Sequence, residues 1–420
     1  MENSNYSKIA KITFLVLIFF SIWGTALPFR ESVDDVDQGT GSNIINQILF
    51  SFLFIMSVIT LFIRKRDLLS IIKREKFFSL ILLFSLASIL WSEYSFITFK
   101  RIFQIIAIFL TCTSFLIYAD SADDIIKPFK YILYPYLLLT VMIVFIHPGA
   151  IDPLHHTWRG FTSHKNLLGQ ISIIAFILCY IIFRLEDTLL GKSTAVFMQV
   201  LSVVILVGTY SSTSIISLVF LTGLASILSV DAIFRSIHIG KSVSFIIFSS
   251  LITLIVGVIV WFPEYSSVIP QLFGKDTTFS GRTDLWEYLL TEASIYPLLG
   301  VGFSAYWVPE SHHIMLMYKT FVWLPGQAHN GFLDILLQLG YVGLSLIVLM
   351  LINYFLKFIK IHKPHPWIMI ILITIIINFQ ESTILRPGRF IDVMFIFAYM
   401  LLFINHFKSF IWQLNVINNE

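Results

Sequence analysis

Charged side chains are scarce in this sequence. Asp, Glu, Lys and Arg make up 13% of its 420 residues and hydrophobic residues 57%, whereas a soluble globular domain carries about 25% charged residues. Cysteine is nearly absent. Cys112 and Cys179 both lie inside apolar runs, which excludes a disulfide scaffold and reads as two small packing residues. No H-E-x-x-H or Cys pairing is present, and adjacent histidines such as His155-His156 and His312-His313 rarely ligate one ion together, so no metal site and no cofactor are expected. Strand-like alternation is missing, which excludes a transmembrane β-barrel. Nothing repeats at a fixed period and no low-complexity linker divides the chain, so residues 1–420 read as one integral membrane domain. A net charge of +3 is too small to point to nucleic acid.

Long apolar runs are what the chain has in quantity. Mean hydropathy is +0.85, and runs near the length of a bilayer span recur throughout. The fold class is therefore an all-α polytopic membrane protein with about twelve spans. They are expected at Ile12–Leu27, Ile44–Ile63, Phe77–Trp91, Ile102–Tyr118, Tyr131–Ile146, Leu167–Phe183, Ala195–Tyr210, Ile215–Val230, Val243–Trp261, Phe332–Phe355, Trp367–Leu385 and Ile391–Ile404. Lys8 and Lys11 precede the first run and no A-x-A site follows it, so it is expected to stay as an uncleaved span. The short Ser211–Ser214 connection predicts a helical hairpin between spans seven and eight. With the N-terminus in the cytoplasm, the 28 Lys and Arg residues all fall on the cytoplasmic side except Arg30, Lys100, Arg101, Arg159, Lys165, Lys275, Arg282, Lys319, Arg386 and Arg389. That bias sets the orientation and puts both termini in the cytoplasm. The outer face also receives the large loop 262–331 between spans nine and ten.

The outer cations mark where function is to be sought. Lys100, Arg101, Arg30, Lys319 and Lys275 suit snorkelling to lipid head groups. Arg159 stands in His155-His156-Thr157-Trp158-Arg159-Gly160-Phe161-Thr162-Ser163-His164-Lys165-Asn166, just before span six. There Ser163 is placed to cap a helix whose amide groups favour an anion. Arg282 opens a segment in which Leu285, Trp286, Leu289, Leu290 and Ala293 share one helical face, a pattern for an amphipathic helix lying on the membrane surface and stopped by Pro297. A cation in a first helical turn opposes the helix dipole, and an anion seated beside it reverses that cost. His329, with Asn330, stands at the outer mouth of span ten, and an imidazole near neutral pKa suits proton transfer. Arg386 and Arg389 flank Pro387-Gly388 on the same face. Each of these also fits an interfacial turn or aromatic anchor. Taken together, outward arginines with few outward carboxylates beyond the first loop point to a multiply charged anion at the membrane surface, such as a polyprenyl diphosphate.

These residues resemble a known family. Arg159-Gly160-Phe161 through His164-Lys165-Asn166-Leu167-Leu168-Gly169 is similar to the loop before the sixth span in the O-antigen ligase and polysaccharide polymerase superfamily. Ser280-Gly281-Arg282-Thr283-Asp284-Leu285-Trp286, followed by Pro297 to Gly302, looks like the large periplasmic loop of its exopolysaccharide polymerase members. His329-Asn330 with Gly340 and Gly343 is similar to the motif that closes that loop, and Leu90-Trp91-Ser92 resembles the end of the third span. The resemblance implies a GT-C-like, metal-independent, inverting glycosyltransferase of the bacterial inner membrane. It would take a glycan from undecaprenyl diphosphate and pass it to an acceptor in the periplasm, beside membrane lipid and polysaccharide assembly proteins. Arg159 and Arg282 would bind the diphosphate and His329 would act on the acceptor hydroxyl. Lys165, Asn330, Arg386, Arg389 and Trp286 would contact substrate. The wording leans toward an exopolysaccharide or O-antigen polymerase, since Leu344-Ser345 follow Gly343 where ligases often carry Thr-Tyr. An O-antigen ligase acting on lipid A-core and a protein O-oligosaccharyltransferase remain alternatives, as do a transporter or flippase and a non-catalytic scaffold from other classes. The common geometric expectation is that Arg159, Arg282 and His329 meet in one cavity opening away from the cytoplasm.

Overall fold

The computed structural model describes residues 2–24, 44–152, 156–223, 282–321, 325–360 and 366–404. The expected ninth span, the end of the eighth, Arg30, His155, Lys275 and Gly281 lie outside the described residues. The helices are α1 (Glu2–Trp23), α2 (Ile44–Ile63), α3 (Lys65–Arg74), α4 (Phe77–Ala87), α5 (Ser95–Tyr118), α6 (Ala122–Ile146), α7 (Lys165–Leu185), α8 (Leu189–Thr209), α9 (Ser212–Gly223), α10 (Arg282–Ala293), α11 (His312–Thr320), α12 (Gly331–Ile359), α13 (Ile368–Asn378) and α14 (Phe390–Leu401). Among the described residues, seven helices are long and apolar enough to cross a membrane, and four apolar helices are shorter. The chain is an all-α polytopic membrane protein. Helices are the natural solution here, because a helix satisfies its own backbone groups where no water is available.

α14 is buried along its whole length and acts as the axis of the bundle. Phe397 of α14 stacks on Phe14 of α1, which stacks in turn on Phe115 of α5 at 4.1 Å. α2 and α5 join through hydroxyl pairs, Ser57 with Thr111 at 2.9 Å and Thr60 with Ser114 at 2.6 Å. Small hydroxyl residues let helices approach closely in lipid and supply hydrogen bonds between them. At one end of the bundle, buried Glu75 accepts from Phe78 N and from the Tyr399 hydroxyl. Lys11 pairs with Asp124 and Lys130 with Glu186. The opposite end gathers the start of α5, α7, α12 and α14 and the end of α4, α8 and α13, and every candidate site residue in the described chain lies there. The tight α8–α9 hairpin is present, with Tyr210 in the left-handed region at φ 48°.

Two expected spans differ in an informative way. Span eleven stops at Asn378 instead of Leu385. The polar run Gln380-Glu381-Ser382-Thr383 leaves the helix and forms a loop that leads to α14. Span ten begins at Gly331 and runs on to Ile359, but its helix is broken at Gly340 (φ 63°, ψ −167°). The 297–302 segment fills that break. Val301 N and Gly302 N donate to the Leu337 and Gln338 carbonyls, while Tyr341 N and Val342 N donate to the Pro297 and Leu298 carbonyls. Backbone groups freed by the break are therefore satisfied by the 297–302 segment, as buried backbone requires. The contact needs glycine on both sides. A Cβ on Gly300 (φ 64°) would collide with the Gln338 backbone, and one on Gly340 would collide with the Leu298 backbone.

α10 also departs from expectation. Its apolar face does not lie on lipid. Leu285, Leu289 and Ala293 are buried with Tyr306, Ile314, Met317 and the first turns of α12 in a second small core, and Leu290 points outward. α11 is held to α10 by His313 Nδ1, 2.8 Å from Glu292 Oε2, and to the loop before it by the stacking of His313 on Tyr306.

The glycine clasp makes a direct prediction. Gly340→Ala and Gly300→Ala each combine positive φ with a backbone collision, so each should destabilise the purified protein by about 1–3 kcal/mol. Thermal unfolding in detergent is expected to shift several degrees downward for both. An unchanged melting temperature in both would show that the clasp does not hold the outer loop.

Candidate active site

The site forms around a carboxylate. Glu381 is 2% exposed, and side chains from three other segments converge on it. Asn166 Nδ2, in the first turn of α7, donates to Oε1 at 3.0 Å, and Arg282 NH2, at the start of α10, donates to the same oxygen at 3.1 Å. Gln327 Nε2 donates to Oε2 at 3.0 Å, and His329 Nδ1 lies 3.1 Å from Oε2. Arg282 NH1 also donates to the Gln380 carbonyl at 2.9 Å. An isolated buried carboxylate is costly, so this arrangement persists because each oxygen receives paired donors. Burial pushes the Glu381 carboxyl upward, but the hydrogen bond from His329 and the charges of His329, Arg282 and Arg389 outweigh it. The group is held at about 2, below its ordinary value of 4.5.

Local structure explains how these groups meet. Asn330 is the N-cap of α12, its Oδ1 accepting from Phe332 N and Leu333 N. His329 precedes it with φ 49°, a conformation uncommon outside glycine and frequent at functional positions. Trp286 Nε1 donates to the Ala328 carbonyl at 2.7 Å and ties α10 to the loop that carries His329. On the facing side, Asn378 Oδ1 accepts from Thr383 N, Thr383 Oγ1 and Ile384 N, which folds the Glu381 loop back over the end of α13. Gly331 packs directly against the Asn378 amide, and no Cβ fits between them. Its bareness lets the His329 and Glu381 segments approach.

The geometry fixes the imidazole. Arg282 NH2 and Gln327 Nε2 also lie 3.4 Å from His329 Nδ1, but both have a better acceptor in Glu381. The shorter, charge-assisted contact to the carboxylate governs. Nδ1 is therefore placed to donate to the carboxylate, which leaves Nε2 as the ring nitrogen available for proton exchange with a substrate. A buried carboxylate that orients a histidine and stabilises its protonated form is a general arrangement for proton transfer.

Arg282 and His329 thus stand together, as expected. Arg159 does not join them. It is 6% exposed, its Nε donates to the Gly149 carbonyl at 2.8 Å, and among the described residues it makes no hydrogen bond to the Glu381 cluster. Its segment approaches through the other end, where Asn166 reaches Glu381. Lys165 is the first residue of α7 and its ammonium forms no hydrogen bond or ion pair among the described residues. The cap of α7 is His164, whose Nδ1 accepts from Asn166 N, and not Ser163. Asn330 and Trp286 are engaged in holding the loop. Arg386 hydrogen-bonds Gln327 Oε1, and Arg389 NH1 donates to the Ser382 carbonyl at 3.3 Å. The anion expected beside Arg282 is supplied by the protein itself. Reading Trp367–Leu385 as continuous membrane helix hid Glu381. The usable signal was the carboxylate inside that apolar run, since ionisable residues at membrane depth mark functional sites.

The fold and site define an all-α membrane protein with a histidine, a carboxylate and several cations gathered at one end of its bundle. A family model described as O-Antigen ligase matches residues 197–348, a range that includes Arg282, Trp286, His329 and Asn330. The exopolysaccharide production protein ExoQ of Rhizobium meliloti (strain 1021) is 28% identical over 216 residues, 50% of this chain and 49% of that protein. The matched region thus spans about half the length of that curated relative. Both findings support the O-antigen ligase and polysaccharide polymerase superfamily.

Glu381 should leave a pH signature. Its folded value lies below its ordinary one, so its stabilising contribution is complete above pH 4.5 and is lost as pH falls toward 2. Glu381→Gln removes that contribution, so its melting temperature should fall less than the wild type's as pH is lowered from about 5, just above the transition, to about 3, inside it. Glu381→Ala leaves the partly buried Arg282 and His329 without their carboxylate and should cost about 3 kcal/mol. Parallel pH profiles for wild type and Glu381→Gln would count against a buried ionised carboxylate.

Proposed function

We propose that this protein transfers a glycan from undecaprenyl diphosphate to a growing polysaccharide, acting as an exopolysaccharide or O-antigen polymerase at the periplasmic face of the bacterial inner membrane. The observation that carries the reading is the Glu381 cluster, which unites Arg282 with His329. The acceptor hydroxyl gives its proton to His329 Nε2 as its oxygen forms a bond to the anomeric carbon. The bond from that carbon to the carrier phosphate breaks, and its electron pair leaves with the diphosphate. Glu381 holds the Nδ1 proton and stabilises the imidazolium that forms. Arg282, anchored with one edge on Glu381 and Gln380, offers positive charge to the leaving group, with Lys165 and Arg389 adding cations around it. The base and the cations come from the chain, so the reading calls for no metal ion.

The periplasmic orientation rests on the Lys and Arg bias of the loops, and the carrier on the chemistry of a lipid tail joined to a diphosphate. The 262–331 segment serves in this reading as the outer loop of a single membrane domain. Its described part closes over the break in α12 and delivers Arg282 and His329 to the Glu381 loop.

His329→Ala should lower polymer formation about 10²–10⁴-fold at unchanged protein level, the range for loss of a general base. Arg282→Lys should also fall sharply, because an ammonium does not reproduce a guanidinium that bridges two acceptors. The glycan profile of a deletion strain discriminates among alternatives. A polymerase predicts loss of all long chains with single repeat units persisting. Long chains stranded on the carrier lipid would indicate a ligase, and single units held on the cytoplasmic leaflet a flippase.

A further inference from the structure

α2 carries an exposed apolar stripe. Ile44, Ile48, Phe52, Ile55, Ile59 and Phe62 recur at helical spacing and are all exposed, which marks the side of a span that meets lipid tails. The stripe ends at Phe62, 69% exposed. There the chain turns into α3, and cations follow at once. Lys65, Arg66, Leu69 and Lys73 share one face of α3, and all four are exposed. The opposite face holds α3 to the bundle, with Ile71 buried and Leu68 packed against the core.

The outward cations lack partners of their own. Asp67 is the single carboxylate of α3, and it pairs with Arg64, which also lies over the Tyr118 ring. Among the described residues Lys65, Arg66 and Lys73 form no hydrogen bond or ion pair. Lys65 Nζ stands over the exposed Phe62 ring, 5.6 Å from its centre. The helix that presents them is firmly seated. Lys357 of α12 donates to the Arg74 carbonyl, and Glu75, just past the end of α3, caps α4 and accepts from the Tyr399 hydroxyl of α14.

We propose that the outward face of α3 binds the head groups of anionic phospholipids in the leaflet at that end of the bundle. Leu69, 55% exposed, enters the boundary between head groups and tails, and the long stems of Lys65, Arg66 and Lys73 reach the phosphates. Cations clustered beside a span attract lipids of net negative charge over zwitterionic ones. Continuity with the α2 stripe decides for lipid over an acidic protein, because the cations begin where the tail-facing residues end. The site lies at the opposite end of the bundle from Glu381 and is independent of the glycan-transfer reading. A head group bound there clamps α3, and through Arg74 and Glu75 it steadies the junction of α4, α12 and α14.

The test is thermal unfolding of the full-length protein in detergent micelles that carry phosphatidylglycerol or phosphatidylcholine with the same acyl chains. Wild type should melt a few degrees higher with phosphatidylglycerol at about 0.05 M salt, and the difference should shrink at about 0.5 M, where screening is strong. The triple variant Lys65→Gln, Arg66→Gln, Lys73→Gln should lose the difference and keep its melting temperature in phosphatidylcholine, since none of the three side chains hydrogen-bonds or ion-pairs within the described fold. The charge-keeping variant Lys65→Arg, Arg66→Lys, Lys73→Arg should retain the difference. So should Lys8→Gln with Lys192→Gln, which removes cations at the same end on other helices. Equal wild-type melting in the two lipids overturns the proposal. A difference that survives the triple Gln variant does so too, as does one lost equally in the Lys8 and Lys192 variant. Stabilisation by poly-glutamate as large as that by phosphatidylglycerol, and lost in the same triple variant, would make the face a docking site for an acidic protein segment and overturn the lipid assignment.

Discussion

A carboxylate buried next to a membrane has to be satisfied, and that requirement organises this protein. Glu381 draws Asn166 from α7, Arg282 from α10, and Gln327 and His329 from the loop before α12 into one network. No two of these segments adjoin in sequence. Removing the charge would leave a guanidinium and an imidazole facing each other at 3.4 Å without the carboxylate that both now contact. Removing either partner would leave a buried anion short of donors. The network is thus stable as a whole and poor in parts, which is typical of buried polar clusters.

The surrounding fold keeps that network in place through backbone contacts. The break at Gly340 exposes helical backbone groups, and the 297–302 segment takes them up. That segment continues into Phe303, whose N–H and carbonyl bond the Ser88 and Thr98 hydroxyls at the ends of α4 and α5. The 297–303 segment is therefore tied to α12 on one side and to α4 and α5 on the other. On its far side the small core of α10, α11 and the first turns of α12 fixes the direction in which Arg282 leaves its helix. Rigid support of this kind is what a proton-transfer geometry needs, because small misplacements cost large factors in rate.

Much of the architecture was legible. Apolar runs located the membrane helices, closely at Ile44–Ile63 and Lys165–Leu185 and with starts too late at Ser95–Tyr118 and Ala122–Ile146, the Ser211–Ser214 turn marked the hairpin, and the search for cations and an imidazole off the apolar runs found Arg282 and His329. What stayed hidden has a physical cause in each case. Glu381 was absorbed into an apolar run because hydropathy averages over a window and one polar loop does not lower the mean enough. Its partners lie tens to hundreds of positions away, and no local periodicity reports such contacts. The face of α10 was assigned to lipid because amphipathicity says that a stripe is buried, not what buries it. Gly300 and Gly340 lie forty positions apart, and only the structure shows that each makes room for backbone next to the other, Gly300 for Gln338 and Gly340 for Leu298. Arg159 carried the sequence signals of an anion site, but the structure spends its Nε on Gly149 and brings Asn166 to the centre instead.

The central claim is that Glu381 and His329 act as one unit. A double-mutant cycle on transfer rate tests it most directly, with Glu381→Gln, His329→Ala and the double variant measured at equal protein level. The account predicts that the double variant is no slower than His329→Ala alone, because an absent imidazole gives the carboxylate nothing to orient. If the two losses multiply, Glu381 and His329 contribute independently and the proposed dyad is wrong.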